Sequence, residues 1–325
     1  MYKICITDHE HDYSQIEAEI LSREGATVVG AHCKTERDVI DFASDADGIM
    51  VAYAPITQEV VNHLKHCRVI VRYGVGVDNI DVGAATQKHI FVTYVPDYCI
   101  EEVATHTIAL MLCCARRIAQ YNKRVREHQW GSMIAGELNR LSRKKLGLLG
   151  FGRIGSKVAA LAGGLGLQIH AHDPYVSSDT MEKLNTASVD LETLFSQSDY
   201  LSIHIPLVDE TRHFVDQREI GMMKKTAFLI NTARGGIVNQ KALIDALTEK
   251  RIAGAALDTF EIEPPEHQEP LLKMENVVLT PHAAWYSEEA NQDLRSKAAE
   301  EVARVLRGEI PKYLINRDVL RSSQR

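Results

Sequence analysis

The sequence predicts an α/β protein with two doubly wound parallel-sheet domains, and three observations support that prediction. The chain has 325 residues, which suffices for about two domains at roughly 150 residues each. Strand-like and helix-like segments alternate in two series, one beginning near Lys3 and the other near Leu146. The composition, 45% hydrophobic and 25% charged, is ordinary for a globular protein and excludes disorder, collagen and coiled coil as descriptions of the whole chain.

The first series occupies the N-terminal third of the chain. Short β-rich runs predict strands over 3–7, 27–29, 48–52, 69–71 and 90–93. Apolar residues at helical spacing predict helices over 13–23, 36–42 and 58–65. Alternation of this kind favours a parallel sheet covered by helices.

A long helix is predicted from about Glu101 to beyond Arg116, with Asp97 as a candidate cap. Its middle, residues 103–115, is apolar on nearly all sides, so the helix should be buried on more than one face. Burial against a second subunit and burial within one chain both explain this pattern. Trp130 is expected to pack under the same helix.

The second series predicts six strands of a doubly wound sheet, over 146–150, 168–172, 200–205, 227–231, 253–257 and 277–280. A final helix is predicted over 291–306, where apolar residues form one stripe.

Charge, hydropathy and cysteine usage exclude several classes of protein. The net charge of −7 gives no overall field that would attract nucleic acid or anionic lipid. No apolar stretch approaches the roughly 20 residues that a membrane span needs, and the N-terminus shows no signal-peptide pattern. Because the six cysteines show no paired CxxC spacing, we expect reduced thiols and a cytoplasmic protein.

A glycine-rich turn follows the first strand of the second series. Gly150, Gly152 and Gly155 match the pattern GxGxxG between a predicted strand and a predicted helix, where backbone N–H groups can bind a pyrophosphate. Asp173 lies 18 residues after Gly155, the spacing of a ribose-binding acid. A structural turn with an exposed acid is the alternative. No Arg or Lys occurs in residues 174–182, so NAD is favoured over NADP.

Three chemically distinct side chains follow three successive strands of this series, namely Arg234, Glu263 and His282. Open α/β sheets bind ligands at the carboxyl ends of their strands. Arginine can bind a carboxylate through two parallel hydrogen bonds, and histidine can donate a proton near neutral pH. A neighbouring carboxylate would stabilise the protonated imidazole. The set suits reduction of a 2-oxo acid.

These motifs resemble the D-isomer-specific 2-hydroxyacid dehydrogenase family over nearly the whole chain. The resemblance rests on the glycine turn, on residues 232–236 (Thr-Ala-Arg-Gly-Gly), on residues 258–263, on Pro281-His282 and on residues 73–81. Trp285 and the following residues 286–289 are similar to the subgroup named after the C-terminal binding protein corepressors.

The resemblance implies a role for each matching position. Arg234 would bind the substrate carboxylate and carbonyl, His282 would donate the proton, and Glu263 would be the partner of His282. The implied substrate-binding residues are Val75, Gly76, Arg234 and Trp285, although packing between the domains is equally open for Trp285. The implied cofactor-binding residues are Gly150, Gly152, Arg153, Ile154, Gly155, Asp173, Ile205, Pro206, Thr232, Ala233, Arg234, Asp258, His282 and Ala284.

The resemblance also implies the domain organisation. Residues 1–98 with 291–325 would form a discontinuous, flavodoxin-like substrate-binding domain, and residues 99–290 a Rossmann NAD-binding domain. The catalytic site would lie in an interdomain cleft. Residues 101–127 would form the interface of a homodimer.

The leading functional hypothesis is an NAD-dependent dehydrogenase acting on a small 2-oxo or 2-hydroxy acid, without nucleic-acid or membrane partners. One alternative is a corepressor-like protein that senses NAD(H) with little turnover. A weaker one is an enzyme for a phosphorylated or inorganic oxyanion, since Arg72 and Lys88 are the only cations near the substrate loop. No metal is expected, because no histidine pair has a completing ligand; the pairs are His9 and His11, His63 and His66, and His170 and His172.

Overall fold

The computed structural model describes residues 1–8 and 15–322, which divide into two compact units. Unit 1 comprises Met1–Cys99 and Ser287–Arg325, and unit 2 comprises Ile100–Tyr286. The sequence predicted functional domains that divide at 98/99 and 290/291. The cleft expected between those domains stays a prediction.

Unit 1 begins with a parallel sheet and its covering helices. Its strands are β1 (Tyr2–Ile6), β2 (Ala26–Gly30), β3 (Gly48–Val51), β4 (Val69–Arg72) and β5 (Phe91–Thr93). Its first helices are α1 (Gln15–Ser22), α2 (Glu36–Ala43), α3 (Gln58–His63) and α4 (Val82–Gln87). The strand order β2-β1-β3-β4-β5 is the flavodoxin-like order, as predicted.

Helix α4 was not predicted, because its six residues include Gly83 and show no apolar stripe. A local hydrogen bond starts it instead. The Asp81 side chain accepts from the Ala84 N–H at 2.8 Å, as an N-cap residue does.

Unit 2 begins with two helices, and a larger parallel sheet with its helices follows. The helices are α5 (Ile100–Arg116), α6 (Ile118–Arg126), α7 (Arg153–Gly163), α8 (Ser178–Glu182), α9 (Leu191–Gln197), α10 (Gln217–Met222) and α11 (Gln240–Thr248). The strands are β6 (Lys145–Leu149), β7 (Gln168–His172), β8 (Thr186–Ser188), β9 (Tyr200–Ile203), β10 (Phe228–Asn231), β11 (Gly254–Leu257) and β12 (Val277–Leu279).

The sheet of unit 2 has the order β12-β11-β10-β9-β6-β7-β8. The strand order reverses beside β6, as in a Rossmann fold. The prediction of six strands was wrong, because the described residues of this sheet form seven. The missed strand, β8, is a three-residue edge strand with two exposed residues, so it carries no apolar run that would mark it.

Helix α5 begins at Ile100, and Asp97 does not cap it. The Asp97 carboxylate accepts from the Tyr313 hydroxyl at 2.7 Å and from the Lys297 ammonium at 3.3 Å. Trp130 is 88% exposed, so the prediction that it packs under α5 was wrong.

The chain returns to unit 1 through α12 (Glu288–Leu306), and α13 (Val319–Ser322) follows. Helix α12 starts three residues before the predicted position because the Ser287 side chain caps it, accepting from the Ala290 N–H at 2.9 Å.

Two features of the described residues bear on the class of protein. Among the described residues, no helix is both long enough and apolar enough to cross a membrane. Cys5 in β1 and Cys114 in α5 are buried free thiols. Burial raises the pKa of Cys5 to about 11 and that of Cys114 to about 12.

Candidate active site

The glycine turn between β6 and α7 is shaped by close backbone contacts. Gly150 has a φ of +98°, and a side chain there would meet the carbonyl oxygen of His204 at 2.7 Å. A side chain at Gly155 would collide with the Gly150 carbonyl oxygen. Gly152 instead faces open space and precedes α7 without a side-chain cap. The first N–H groups of α7 therefore fit an anion such as a pyrophosphate.

Asp173 follows β7 and is bonded to this turn. Its carboxylate accepts from the Phe151 N–H at 2.8 Å and from the Tyr175 N–H at 2.9 Å. The carboxylate is thus fixed beside the glycine turn, and it retains acceptor capacity for ribose hydroxyls. The chemistry of this turn fits a dinucleotide.

The loop after β10 carries Thr232, Ala233 and Arg234. Asn231, at the end of the strand, accepts from the Ala233 N–H at 3.0 Å and donates to the Arg234 carbonyl at 2.9 Å. The Arg234 guanidinium also donates to the Ala233 carbonyl at 2.8 Å. Sequence reasoning missed Asn231, although asparagine before a turn is a recognised signal for such local bonds.

The loops after β11 and β12 bring a carboxylate and an imidazole together. The His282 Nδ1 lies 2.6 Å from the Glu263 Oε2, and the Phe260 N–H donates to the other Glu263 oxygen at 2.8 Å. Because β10, β11 and β12 are adjacent and parallel, Arg234, Glu263 and His282 all follow strands at one edge of the sheet.

Asp258 holds the loop that carries His282. Its side chain is 1% exposed and accepts from the N–H groups of Ala283 and Ala284, both at 2.9 Å. Its backbone carbonyl accepts from the His282 N–H at 2.8 Å. Thr280 donates its hydroxyl to the same carboxylate at 2.5 Å. The sequence predicted a role for Asp258 at the cofactor, and the structure shows it bonded to this loop.

His204 lies at the carboxyl end of β9, under the glycine turn. Its Nε2 is 2.9 Å from the Ser202 hydroxyl, and its Cβ would be 3.6 Å from a side chain at Gly155. Burial lowers the pKa of His204 to about 4, so the ring is neutral at pH 7. Ile205, the next residue, lies against Gly150, and Pro206 is exposed.

In unit 1, a buried network anchors the loop that contains Val75 and Gly76. The Tyr73 hydroxyl donates to Glu17 at 2.9 Å, and Arg295 forms two hydrogen bonds to that carboxylate, at 2.8 and 2.7 Å. Burial and the Glu17 charge raise the pKa of Tyr73 well above its usual value. Val75 is 40% exposed at the start of the loop.

The structure describes two of the three histidine pairs considered as metal ligands. Within residues 1–8 and 15–322, no group of three or more His, Cys, Asp or Glu could hold a metal ion; His9 and His11 lie outside these ranges. His63 bonds to the Glu59 carbonyl and His172 to the Val189 carbonyl, both at 2.8 Å. Trp285 stacks edge-on against Tyr286, with ring centroids 5.5 Å apart, and its place in a pocket stays a prediction.

Comparison with known proteins identifies the family of this chain. Residues 108–284 match the family model described as D-isomer specific 2-hydroxyacid dehydrogenase, NAD binding domain. The chain is 40% identical to the glyoxylate reductase of Korarchaeum cryptofilum over 88% of each chain. It is 38% identical to the D-3-phosphoglycerate dehydrogenase of Methanocaldococcus jannaschii, covering 97% of this chain and 60% of that one.

Among solved structures, the D-lactate dehydrogenase of Aquifex aeolicus, complexed with NAD and lactic acid, superposes with a TM-score of 0.87. That match has 26% identity and covers 96% of this chain and 99% of the other.

A Rossmann sheet with a dinucleotide turn and a histidine–carboxylate pair defines the class of NAD-dependent oxidoreductases. Within that class, the chain belongs to the D-isomer specific 2-hydroxyacid dehydrogenase family, which confirms the resemblance. The relatives named here are dehydrogenases and a reductase, so the similarity to the corepressor subgroup gains no support from them.

Proposed function

We propose that this chain reduces a small 2-oxo acid to the D-2-hydroxy acid with NADH, and catalyses the reverse oxidation with NAD. The pairing of His282 with Glu263 at 2.6 Å carries the proposal. It gives a proton donor with a fixed ring orientation on the same sheet edge as Arg234, the cation that a carboxylate substrate requires.

The cofactor, when bound, supplies the hydride. The first turn of α7, including Arg153 and Ile154, would hold its pyrophosphate, and Asp173 would hold its ribose. A carboxylate at this position favours NAD over NADP because it repels a 2′-phosphate. Ile205, Pro206 and the 232–234 loop would border the nicotinamide, together with the Ala284 loop.

The chain's own groups would orient and polarise the substrate. Arg234 would bind its carboxylate and stabilise the negative charge that develops on the carbonyl oxygen. His282 would give that oxygen a proton from Nε2, since Nδ1 is bonded to Glu263. We propose that Val75 and Gly76 in unit 1 bind substrate through their backbone N–H groups.

We favour a small substrate without a phosphate group, of the glyoxylate and hydroxypyruvate type. The glyoxylate reductase matches along 88% of its own length, against 60% for the phosphoglycerate dehydrogenase. Lys88, a candidate phosphate ligand, donates to the carbonyls of Asn62 and Leu64 instead, at 2.6 and 3.5 Å. The 38% identity to the phosphoglycerate dehydrogenase over nearly the whole chain makes the phosphorylated 2-oxo acid the second candidate.

We also propose a cytoplasmic homodimer that associates through residues 101–127. Ile118 and Val125 in α6 are 55% and 47% exposed, which is typical of apolar side chains at an unfilled interface. The reduced thiols Cys5 and Cys114 suit a reducing compartment. A monomer in light scattering at micromolar concentration would overturn the dimer.

The test is NADH oxidation against glyoxylate, pyruvate, hydroxypyruvate, branched, thioether and aromatic 2-oxo acids, and the phosphorylated analogue of hydroxypyruvate. We expect turnover with a small acid, reduced about 10²- to 10⁴-fold in His282→Ala because the proton donor is lost. His213→Ala is the matched control, since His213 pairs with Glu261 at 2.6 Å near the same loop and has no assigned role.

Two results would overturn the proposal. One is NADH binding without turnover on any acid of the panel. The other is full activity in His282→Ala. A preference for the phosphorylated acid would select the second candidate.

A further inference from the structure

Two neighbouring residues of α5 reach the two loops that carry the proposed catalytic side chains. His106 Nε2 lies 3.0 Å from the Thr280 hydroxyl, two residues before His282. The Thr107 hydroxyl lies 2.8 Å from the Thr232 hydroxyl, two residues before Arg234. Neither α5 residue belongs to the set implied by the family motifs.

The direction of the first hydrogen bond follows from counting protons. Thr280 has one hydroxyl hydrogen, which goes to the Asp258 carboxylate at 2.5 Å. Its oxygen must therefore accept from His106, so His106 carries a proton on Nε2. The same nitrogen is 3.6 Å from the Asp258 carboxylate, which favours that arrangement electrostatically.

This chain of bonds ends on the backbone beside His282. The Asp258 carboxylate, which accepts the Thr280 hydrogen, also accepts from the N–H groups of Ala283 and Ala284 at 2.9 Å. His282 itself has a φ of +54°, a conformation that costs energy for a residue with a side chain and persists only when its surroundings enforce it. The hydrogen bonds that Asp258 accepts from the N–H groups of His282, Ala283 and Ala284 provide that enforcement.

The second contact is arranged in the same way. Thr107 is 1% exposed and donates its hydroxyl to the Val103 carbonyl at 2.7 Å. Its oxygen therefore accepts the Thr232 hydrogen. Thr232 is thereby fixed one residue before the Ala233 N–H that Asn231 binds.

We propose that His106 and Thr107 are positioning residues for the reaction: from adjacent places on α5 they hold the loops that carry His282 and Arg234. The effect on rate rests on the proposed function. The effect on the rigidity of the two loops does not rest on it. The effect on rate and the effect on rigidity can therefore be tested separately.

The first experiment measures amide hydrogen exchange in the protein without substrate. His106→Leu should speed exchange of the Ala283 and Ala284 amides about 3- to 10-fold, the effect of losing one hydrogen bond. His106→Gln keeps an N–H donor and should restore slow exchange. Thr107→Val should instead speed exchange at the Ala233 amide.

The controls separate positioning from general loosening. Thr105→Ala removes an exposed hydroxyl that bonds within α5 and should change neither loop. Amides of β6 should exchange as in the wild type in every variant. Unchanged exchange at Ala283 and Ala284 in His106→Leu, or equal effects on both loops, would overturn the proposal.

The second experiment is a double-mutant cycle on turnover. His106→Leu should lower kcat about 3- to 10-fold and leave the KM for NADH within about twofold. Adding it to Thr280→Val should cost nothing further, because both act through one chain of bonds. Additive losses would overturn the proposal. If the wild type shows no turnover, the proposed function fails while the exchange measurement still decides this inference.

Discussion

Both units fix a loop at the carboxyl ends of their strands with a buried carboxylate, but they neutralise that carboxylate differently. In unit 1, Glu17 under the Tyr73 loop is 1% exposed and pairs with Arg295, a cation at every accessible pH. In unit 2, Asp258 under the His282 loop is held by N–H groups, a hydroxyl and a nearby imidazole.

The difference concerns what each loop must tolerate. A permanent ion pair suits a loop that is proposed to offer its backbone to a substrate and to keep one shape. Hydrogen bonds from uncharged donors suit a loop whose histidine is proposed to change its protonation state during each turnover. We therefore expect the largest stability effects in unit 1 and the clearest pH response in unit 2.

The largest effect is expected from Arg295→Met, which should destabilise unit 1 more than unit 2. Removal of the cation leaves the buried Glu17 carboxylate with the Tyr73 hydroxyl as its one side-chain partner among the described residues, and breaking such a pair costs about 3–5 kcal/mol. Hydrogen exchange of β1 and β4 amides should report this loss in unit 1. Trp130 and Trp285, which both lie in unit 2, should report a much smaller shift by fluorescence during urea unfolding.

The control is Arg37→Met, which removes an exposed partner of Asp41 at 2.9 Å and should cost less than about 1 kcal/mol. Equal losses in the two variants would show that the buried pair of unit 1 is not the anchor we describe.

The next largest effect is a pH response of unit 2 through His204. Its pKa of about 4 lies below the ordinary 6.5, so between these values the unfolded chain binds a proton that the folded unit does not. The free energy of unfolding should therefore fall as pH drops from about 6.5 to about 4, by at most about 3 kcal/mol.

Tryptophan fluorescence during urea unfolding at several pH values measures this loss. His204→Gln should remove most of it, whereas the exposed His267→Gln should not. An unchanged slope in His204→Gln would assign the acid response of unit 2 to other groups.

The smallest effect is expected from Tyr73→Phe, which leaves the pair of Glu17 and Arg295 intact. Loss of one hydrogen bond should cost about 1 kcal/mol in unit 1. Because the Tyr73 loop is proposed to contact only the substrate, the KM for the 2-oxo acid should rise and the KM for NADH should not. A rise in the KM for NADH instead would contradict the proposal that the Tyr73 loop contacts the substrate and not the cofactor.

Sequence patterns could predict both sheets and the positions of Arg234, Glu263 and His282, because each follows a clear strand and belongs to a local motif. They could not predict β8, whose three residues lack an apolar run. The long-range hydrogen bonds that hold the Tyr73 and His282 loops are also beyond such patterns. Glu17 bonds to Tyr73 and Arg295 across 56 and 278 residues of chain, and His106 reaches Thr280 across 174. No periodicity links positions so far apart.

Two of the buried thiols, those of Cys5 and Cys114, have a practical consequence for the same comparison. With the pKa of Cys5 near 11 and that of Cys114 near 12, almost no thiolate exists at neutral pH, and the thiolate is the form that reacts with alkylating reagents. Modification therefore requires local opening. Cys5 lies in unit 1 and Cys114 in unit 2, so the alkylation rates of these two thiols measure how often each unit opens.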